Sequence, residues 1–239
     1  MDKNFEIIFG RNPVREALKA NRIKEVFISD SFSDMVLIND LKKTNIKINI
    51  RKNNELNKMV DGVHQGIVAY IKRYEYSSFE EILKDSKNKK HPMIIILDEI
   101  NDPHNLGAIM RSADVFGASG ILVKKHNQAL LNSTVAKTSA GAINFVKVAQ
   151  VSNLSQAIRT LKENGFWIIC ADGSGSTNYF DLNYDFPCAL IIGNEGKGVS
   201  RLLVENSDYV VRIPMKGKIN SLNASVAAAI LMSFIGMNN

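Results

Sequence analysis

Met93-Ile94-Ile95-Ile96-Leu97, then Asp102-Pro103-His104-Asn105-Leu106-Gly107-Ala108-Ile109-Met110-Arg111, then Gly120-Ile121-Leu122-Val123, is the stretch that decides the fold. The first run is apolar throughout, as a strand buried on both faces requires. The second opens with residues able to cap a helix, Asp102 or Asn105, and with a proline suited to a first turn. Its apolar stripe is Leu106, Ile109, Ala113 and Phe116. The third run is a second short strand. Strand, helix, strand in succession is the repeating unit of a parallel sheet covered by helices.

The pattern continues toward the C-terminus. Residues 145–148, 166–171, 189–192 and 209–213 are expected strands. Residues 153–164 form the clearest helix, with Leu154, Ile158 and Leu161 on one face and Gly165 as its stop. Toward the N-terminus lies a smaller α/β unit. There, residues 24–29, 46–51 and 66–72 are expected strands, a helix starts at Asn12-Pro13, and another spans 34–44. Between the two, Ser78 and Glu81 have the spacing of a capping box, and residues 85–92 are polar. The expected organisation is a domain over 1–75, a linker with a short helix over 76–92, and a second domain over 93–239.

Composition narrows the class. The chain has 239 residues, 45% of them hydrophobic, which suffices for a large buried core. Its net charge is +6, and residues 1–91 carry most of the excess, with 18 Lys and Arg against 13 Asp and Glu. That excess suits a polyanionic partner, or simply a solvated basic face. Arg11, Arg15, Arg22 and Lys24 crowd one helix and the following strand and are the candidate contacts for such a partner. The two cysteines, Cys170 and Cys188, sit in apolar runs and are expected to be buried thiols. Nothing has the spacing of a metal site or a disulfide framework. Met1-Asp2-Lys3-Asn4 opens no signal peptide, and no apolar run is long enough for a membrane span, so a cytoplasmic protein is expected.

Three segments carry candidate chemistry. The first places His104, Gly107 and Arg111 on one helix face, with Gly107 leaving room for a second backbone or a nucleotide. Arg111 offers a planar donor fork suited to phosphate or ribose oxygens. The second segment is Gly193-Asn194-Glu195-Gly196-Lys197-Gly198, whose glycines let the backbone approach a ligand closely. It has neither the dinucleotide-binding fingerprint nor the P-loop spacing, which argues against an ordinary nucleotide-cofactor enzyme. The third is Ile213-Pro214-Met215 with Ser221-Leu222-Asn223. Here Ser221 can cap a helix that is small or apolar all round and therefore buried on most sides or pressed against a partner. A further glycine cluster, at residues 172–176, reads as a surface loop.

Taken together, these segments resemble the SpoU/TrmH family of SPOUT-class RNA 2′-O-ribose methyltransferases. Phe9-Gly10-Arg11-Asn12-Pro13-Val14-Arg15-Glu16-Ala17-Leu18 and Val63-His64-Gln65-Gly66-Ile67 look like the substrate-binding domain of the bacterial 23S rRNA guanosine methyltransferases. The resemblance spans nearly the whole chain and implies an α/β fold of two parts. One is a small L30-like RNA-binding domain; the other is a parallel-sheet domain threaded as a trefoil knot. It implies S-adenosylmethionine as methyl donor, held largely by backbone at Gly193, Asn194, Gly196, Ile213, Pro214, Met215, Leu222 and Asn223. It places the catalytic set on Asn105, Arg111, Glu195, Ser221 and Asn223, with Asn105 orienting Arg111 or the ribose. It further implies a homodimer, no metal, and 23S rRNA as substrate. A tRNA methyltransferase of the same family and a non-catalytic RNA-binding module are the alternatives.

Overall fold

The computed structural model describes residues 5–237, so the opening stretch read above for a leader lies outside the described residues. The chain divides into two compact units, residues 1–74 and 75–239.

In the first unit a four-stranded sheet has the order β1-β4-β2-β3. Its strands are β1 (Phe5–Phe9), β2 (Ile23–Ser29), β3 (Lys47–Arg51) and β4 (Ile67–Lys72). β4 runs antiparallel to β1 and β2, while β2 and β3 are parallel. Helix α1 (Arg11–Lys19) and helix α2 (Met35–Lys42) bury Val14, Ala17, Leu37 and Leu41 against Ile8, Val26, Ile67, Ala69 and Ile71. A short helix, α3 (Asn53–Met59), is pinned by the fully buried Leu56. The sequence signal missed β1 and α3. Helix α1 begins where Gly10, at φ 91°, turns the chain out of β1.

In the second unit, the strands β5 (Met93–Asp98), β6 (Gly120–Lys124), β7 (Val148–Val151), β8 (Trp167–Ala171), β9 (Thr177–Asn178), β10 (Cys188–Gly193) and β11 (Tyr209–Arg212) form a sheet of order β7-β6-β5-β10-β8-β11-β9. All its pairings are parallel. Strand β5 is buried at every position. Ile94, Ile96, Leu122, Ile168 and Ile191 face a layer supplied by α4 (Phe79–Ser86), α7 (Leu154–Glu163) and α8 (Arg201–Glu205). Alternate residues such as Ile95 and Leu97 point to the other face of the sheet. There α5 (Pro103–Val115) packs with α6 (Ser133–Thr138) and with the last helix, α9 (Ala224–Met237).

The segment expected to be a linker is part of this unit. Ser78 and Glu81 form the capping box that the spacing indicates, and this starts α4. Ile82 is then fully buried, with its side chain filling the space that a Cβ on Gly120 would occupy. Ser77 also pairs with Ala149 of the sheet. The stretch after this helix is polar, but one apolar side chain ties the helix into the core. The strand expected at 145–148 begins instead at Val148, leaving Phe145 exposed.

Candidate functional site

The C-terminal ends of β8, β10 and β11 open into a cavity of about 550 Å³. In a parallel sheet this is the edge where free backbone groups and helix starts gather. Its walls are largely turns: Gly193, Asn194, Glu195 and Gly198 after β10, Ile213, Pro214 and Met215 after β11, and Ser221 and Leu222 before α9. Asp172 and Gly173, which follow β8, also line it. The second glycine cluster, expected as a surface loop, thus belongs to the cavity. Its position after a strand of this sheet was the available signal.

The 193–198 turn is a self-contained structure. Asn194 and Gly198 exchange backbone hydrogen bonds of 3.2 and 2.8 Å. The Asn194 side-chain oxygen accepts from Gly196 N–H at 2.9 Å and Lys197 N–H at 3.3 Å, and its amide donates to the Glu99 carbonyl at 2.9 Å. Asn194 and Gly196 thus spend these groups on the turn, and Gly196 is not among the cavity walls. A Cβ on Gly193 would lie 2.3 Å from the Gly198 carbonyl carbon. Glycine is required there by the turn closing on itself.

Asn105 joins the three sequence segments. It is buried on the first turns of α5, behind the helix cap made by Asp102, whose side chain accepts from His104 N–H at 2.8 Å. The Asn105 amide donates to the Glu195 carboxylate, and its oxygen accepts from the Asn223 amide at 3.0 Å. Asn223 in turn accepts from the Ser225 N–H at 2.9 Å and its hydroxyl at 2.6 Å, capping α9. Capping therefore falls to Asn223 in place of Ser221, and Asn223 stands outside the cavity walls. Ser221 is exposed and lines the cavity. Asn105 orients Glu195 and Asn223, where the sequence reading had it orienting Arg111 or the ribose.

Arg111 stands apart. It is exposed, its guanidinium makes no hydrogen bond or ion pair with any described residue, and it is not a wall of the cavity. Six residues along α5 from Asn105, it points about 120° away from that side chain. Gly107, on the Arg111 face, meets a second backbone: a Cβ there would lie 3.0 Å from the Val135 carbonyl of α6. His104 shares this face and sits 3.3 Å from the Thr138 hydroxyl.

A buried acid beneath the turn was missed. Asp98 ends β5, accepts from Ser200 N–H at 2.8 Å and pairs with Lys124 at 2.7 Å. Burial alone would raise the Asp98 carboxyl, but the Lys124 ammonium and the Ser200 groups outweigh it and hold it below the usual carboxylate range. The acid thereby fixes Ser200, two residues beyond the 193–198 turn. Burial pushes the Cys170 and Cys188 thiols up to about 12, which leaves them uncharged and unreactive. Among the described residues, no group of three or more His, Cys, Asp or Glu is placed to hold a metal ion. Among the described residues, no helix is long and apolar enough to cross a membrane.

The four basic candidates of the first unit are not brought together. Arg11 lies with its guanidinium 5.5 Å over the Phe32 ring, and Arg15 pairs with Asp34 at 2.9 Å. These are at the end of the sheet where β1 leads into α1. Arg22, over the Tyr74 ring at 3.4 Å, and Lys24, over Phe5 at 3.7 Å, stand at the opposite end. The length of β2, roughly 3.3 Å per residue, separates the pairs. Neighbours in sequence were read as neighbours in space, which a strand does not permit.

A parallel sheet with a turn-walled cavity at its C-terminal edge, together with a small α/β unit, defines a two-part α/β protein with a ligand cavity. Residues 92–233 match the model of the SpoU rRNA methylase family, and residues 7–77 match that of the RNA 2′-O-ribose methyltransferase substrate-binding domain. The Bacillus subtilis protein YacO, whose name places it in the TrmH family of tRNA/rRNA methyltransferases, is 40% identical over 97% of this chain and 95% of its own. The SpoU methyltransferase AviRb of Streptomyces viridochromogenes, solved with AdoMet, superimposes with a TM-score of 0.76 at 21% identity, over 98% of this chain and 90% of its own. The TrmH/SpoU tRNA modifying enzyme of A. aeolicus gives a TM-score of 0.58 at 30% identity, covering 66% of this chain and 79% of its own. The chain belongs to the SpoU methylase family and is an RNA 2′-O-ribose methyltransferase.

Proposed function

We propose that the chain methylates the ribose 2′-hydroxyl of a guanosine in 23S rRNA, with S-adenosylmethionine bound in the second unit's cavity. The observation that carries this reading is Asn105, which ties Glu195 and Asn223 to one point beside that cavity. Three segments far apart in sequence meet in one polar cluster, which argues against a degenerate, purely RNA-binding module. The cavity fits the donor: its volume suits a nucleoside-sized ligand, its walls offer backbone groups, and Asp172 and Glu195 add negative charge for a cationic ligand. When bound, S-adenosylmethionine supplies an electrophilic methyl carbon.

The protein's own work is positioning. The ribose oxygen must be held in line at roughly 3–3.5 Å from the methyl carbon. Glu195, Ser221 and the turns around them set that geometry. Arg111 carries a guanidinium, a donor-only cation, so it serves the developing alkoxide and the adjacent phosphate and not as a base. Water or the substrate phosphate takes the proton.

We further propose a homodimer, which gives Arg111 a place to act. On its own chain it does not reach the cavity. Exposed Val226 and Met237 on α9 and Val115 on α5 give the helical face apolar surface to bury against a second copy. A stable pairing would bury on the order of 1,600 Å², and each copy would present Arg111 to the other's cavity. The order of the central strands, β5-β10-β8-β11, with α9 returning to Asn105, supports the trefoil threading.

The test is methyl transfer from tritiated donor to protein-free 23S rRNA or to bulk tRNA. Label on a 23S guanosine ribose is expected. Label in tRNA alone would promote the tRNA reading, which the tRNA/rRNA naming of YacO keeps open.

A further inference from the structure

The first unit holds a cleft of about 680 Å³ that the chemistry above does not use. Its walls come from the start of α1, the segment after β2, helix α3 and the turn before β4. The turn is rigidly built. His64 is buried, and its Nδ1 accepts from Gly66 N–H at 3.0 Å, so its Nε2–H donates to Asn57 Oδ1 at 2.8 Å. Both ring nitrogens are spent on holding the turn. Gln65 follows in the left-handed region at φ 53°, and its side-chain oxygen accepts the first N–H of α1, at Arg11, at 3.0 Å. The Gln65 amide NH₂ makes no hydrogen bond to any described residue, and neither does the Asn53 side chain.

The chemistry of the walls is selective. Three amides, Asn53, Asn57 and Gln65, and two hydroxyls, Ser29 and Ser31, supply uncharged donors and acceptors. Phe32 and Val63 supply apolar surface, and Val63 is 83% exposed at the rim. One cation, Arg11, is present, and no carboxylate lines the cleft. Amide side chains pair with base edges, apolar surface takes the base faces, and a single guanidinium suits a phosphate. An acidic or phosphorylated peptide would call for several cations.

Resting on the reading that this chain methylates RNA, we propose that the cleft binds one unpaired nucleotide of the RNA substrate. The amides of Asn53 and Gln65 read the base, Val63 packs on it, and Arg11 holds its phosphate. The cleft thus selects the RNA independently of the cavity that holds the methyl donor.

The binding test uses the full chain. Val63→Asp places a carboxylate at the exposed rim, Asn53→Ala removes one reading amide, and Lys42→Asp alters charge at the far end of α2. Filter binding to protein-free 23S rRNA, with bulk tRNA as the second arm, should show at least tenfold weaker binding for Val63→Asp and several-fold weaker binding for Asn53→Ala. Lys42→Asp should stay within twofold. Donor affinity by calorimetry should stay within twofold in all three, and unchanged circular-dichroism melting of a fragment over residues 1–74 carrying each substitution shows that the first unit still folds. Ultraviolet cross-linking should place RNA on the peptide carrying Val63. Unchanged RNA affinity in Val63→Asp and Asn53→Ala, or equal loss in Lys42→Asp, would overturn the cleft assignment. So would inhibition by micromolar GMP that Val63→Asp removes, since the cleft would then hold a free nucleotide. A wild-type chain that labels neither RNA sinks the methyltransferase reading instead.

Discussion

The donor cavity and the cleft of the first unit are built from opposite materials. The one in the second unit is walled by turns, with Gly193, Ile213 and Pro214 at the ends of parallel strands and Leu222 before α9. The one in the first unit is walled by side chains, chiefly amides and hydroxyls around a turn held by His64. Main chain is the same whatever the residue, so a backbone-walled cavity suits a ligand that never changes. Side chains can be exchanged one at a time, so a cleft of amides suits a partner whose identity must be read. The difference separates a constant donor from a selected acceptor.

The sharpest way to break this comparison is Arg111→Ala. It should lower the methyl-transfer rate by on the order of 10²–10³, while donor affinity by calorimetry stays within twofold. Arg111→Lys should also be poor, because an ammonium does not reproduce the planar fork. Mixing Arg111→Ala with Glu195→Ala should then restore activity at about a quarter of the sites by random pairing of subunits. No restoration would mean that Arg111 serves its own chain's cavity.

Next in size is Asn105→Ala, which leaves the Glu195 carboxylate and the Asn223 amide without their shared partner. Losing such a pair costs ~1–3 kcal/mol, so donor affinity or turnover should fall by roughly 10–100-fold. RNA affinity by filter binding should be unaffected, which would separate the cavities cleanly.

Cutting the chain sharpens the comparison further. A fragment over 75–239 should fold and bind the donor, whereas one over 93–239 loses α4 and the burial of Ile82. Exposing that core should cost ~2–5 kcal/mol, visible as a lower denaturant midpoint. Equal midpoints would restore the segment to linker status.

The smallest effect concerns Asp98. Its depressed carboxyl contributes stability that is present above its unfolded value, ~3.9, and is lost as pH falls through the lower folded value. Asp98→Asn should therefore melt several degrees below wild type at pH 7, with the gap closing below about pH 4. A gap independent of pH would mean that packing, not charge, sets the effect.

Much of this was legible in the sequence, for reasons that also mark where legibility stops. The apolar run at β5 and the capped, striped α5 are local patterns, and both elements stand where the pattern put them. The three turns were legible as turns because Gly, Pro, Asn and Ser end strands and start helices. What joins them was not. Asn105 meets partners 90 and 118 residues away, and no spacing rule reaches that far. The same limit scattered Arg11 and Arg22 to opposite ends of a sheet, hid Asp98 at the end of an otherwise apolar strand, and made α4 look like a connector.

The bridging amide of Asn105 also makes the site chemically perishable. Asparagine is among the thermolabile residues, and its hydrolysis to aspartate keeps the shape of the side chain. Here it would exchange the nitrogen that donates to Glu195 for an oxygen carrying charge. Two carboxylates would then face each other where a hydrogen bond had been, one of them on the buried Asn105 position. Spontaneous ageing at one atom would disassemble the polar cluster without unfolding the chain, and an old preparation would be expected to lose turnover well before it loses its fold.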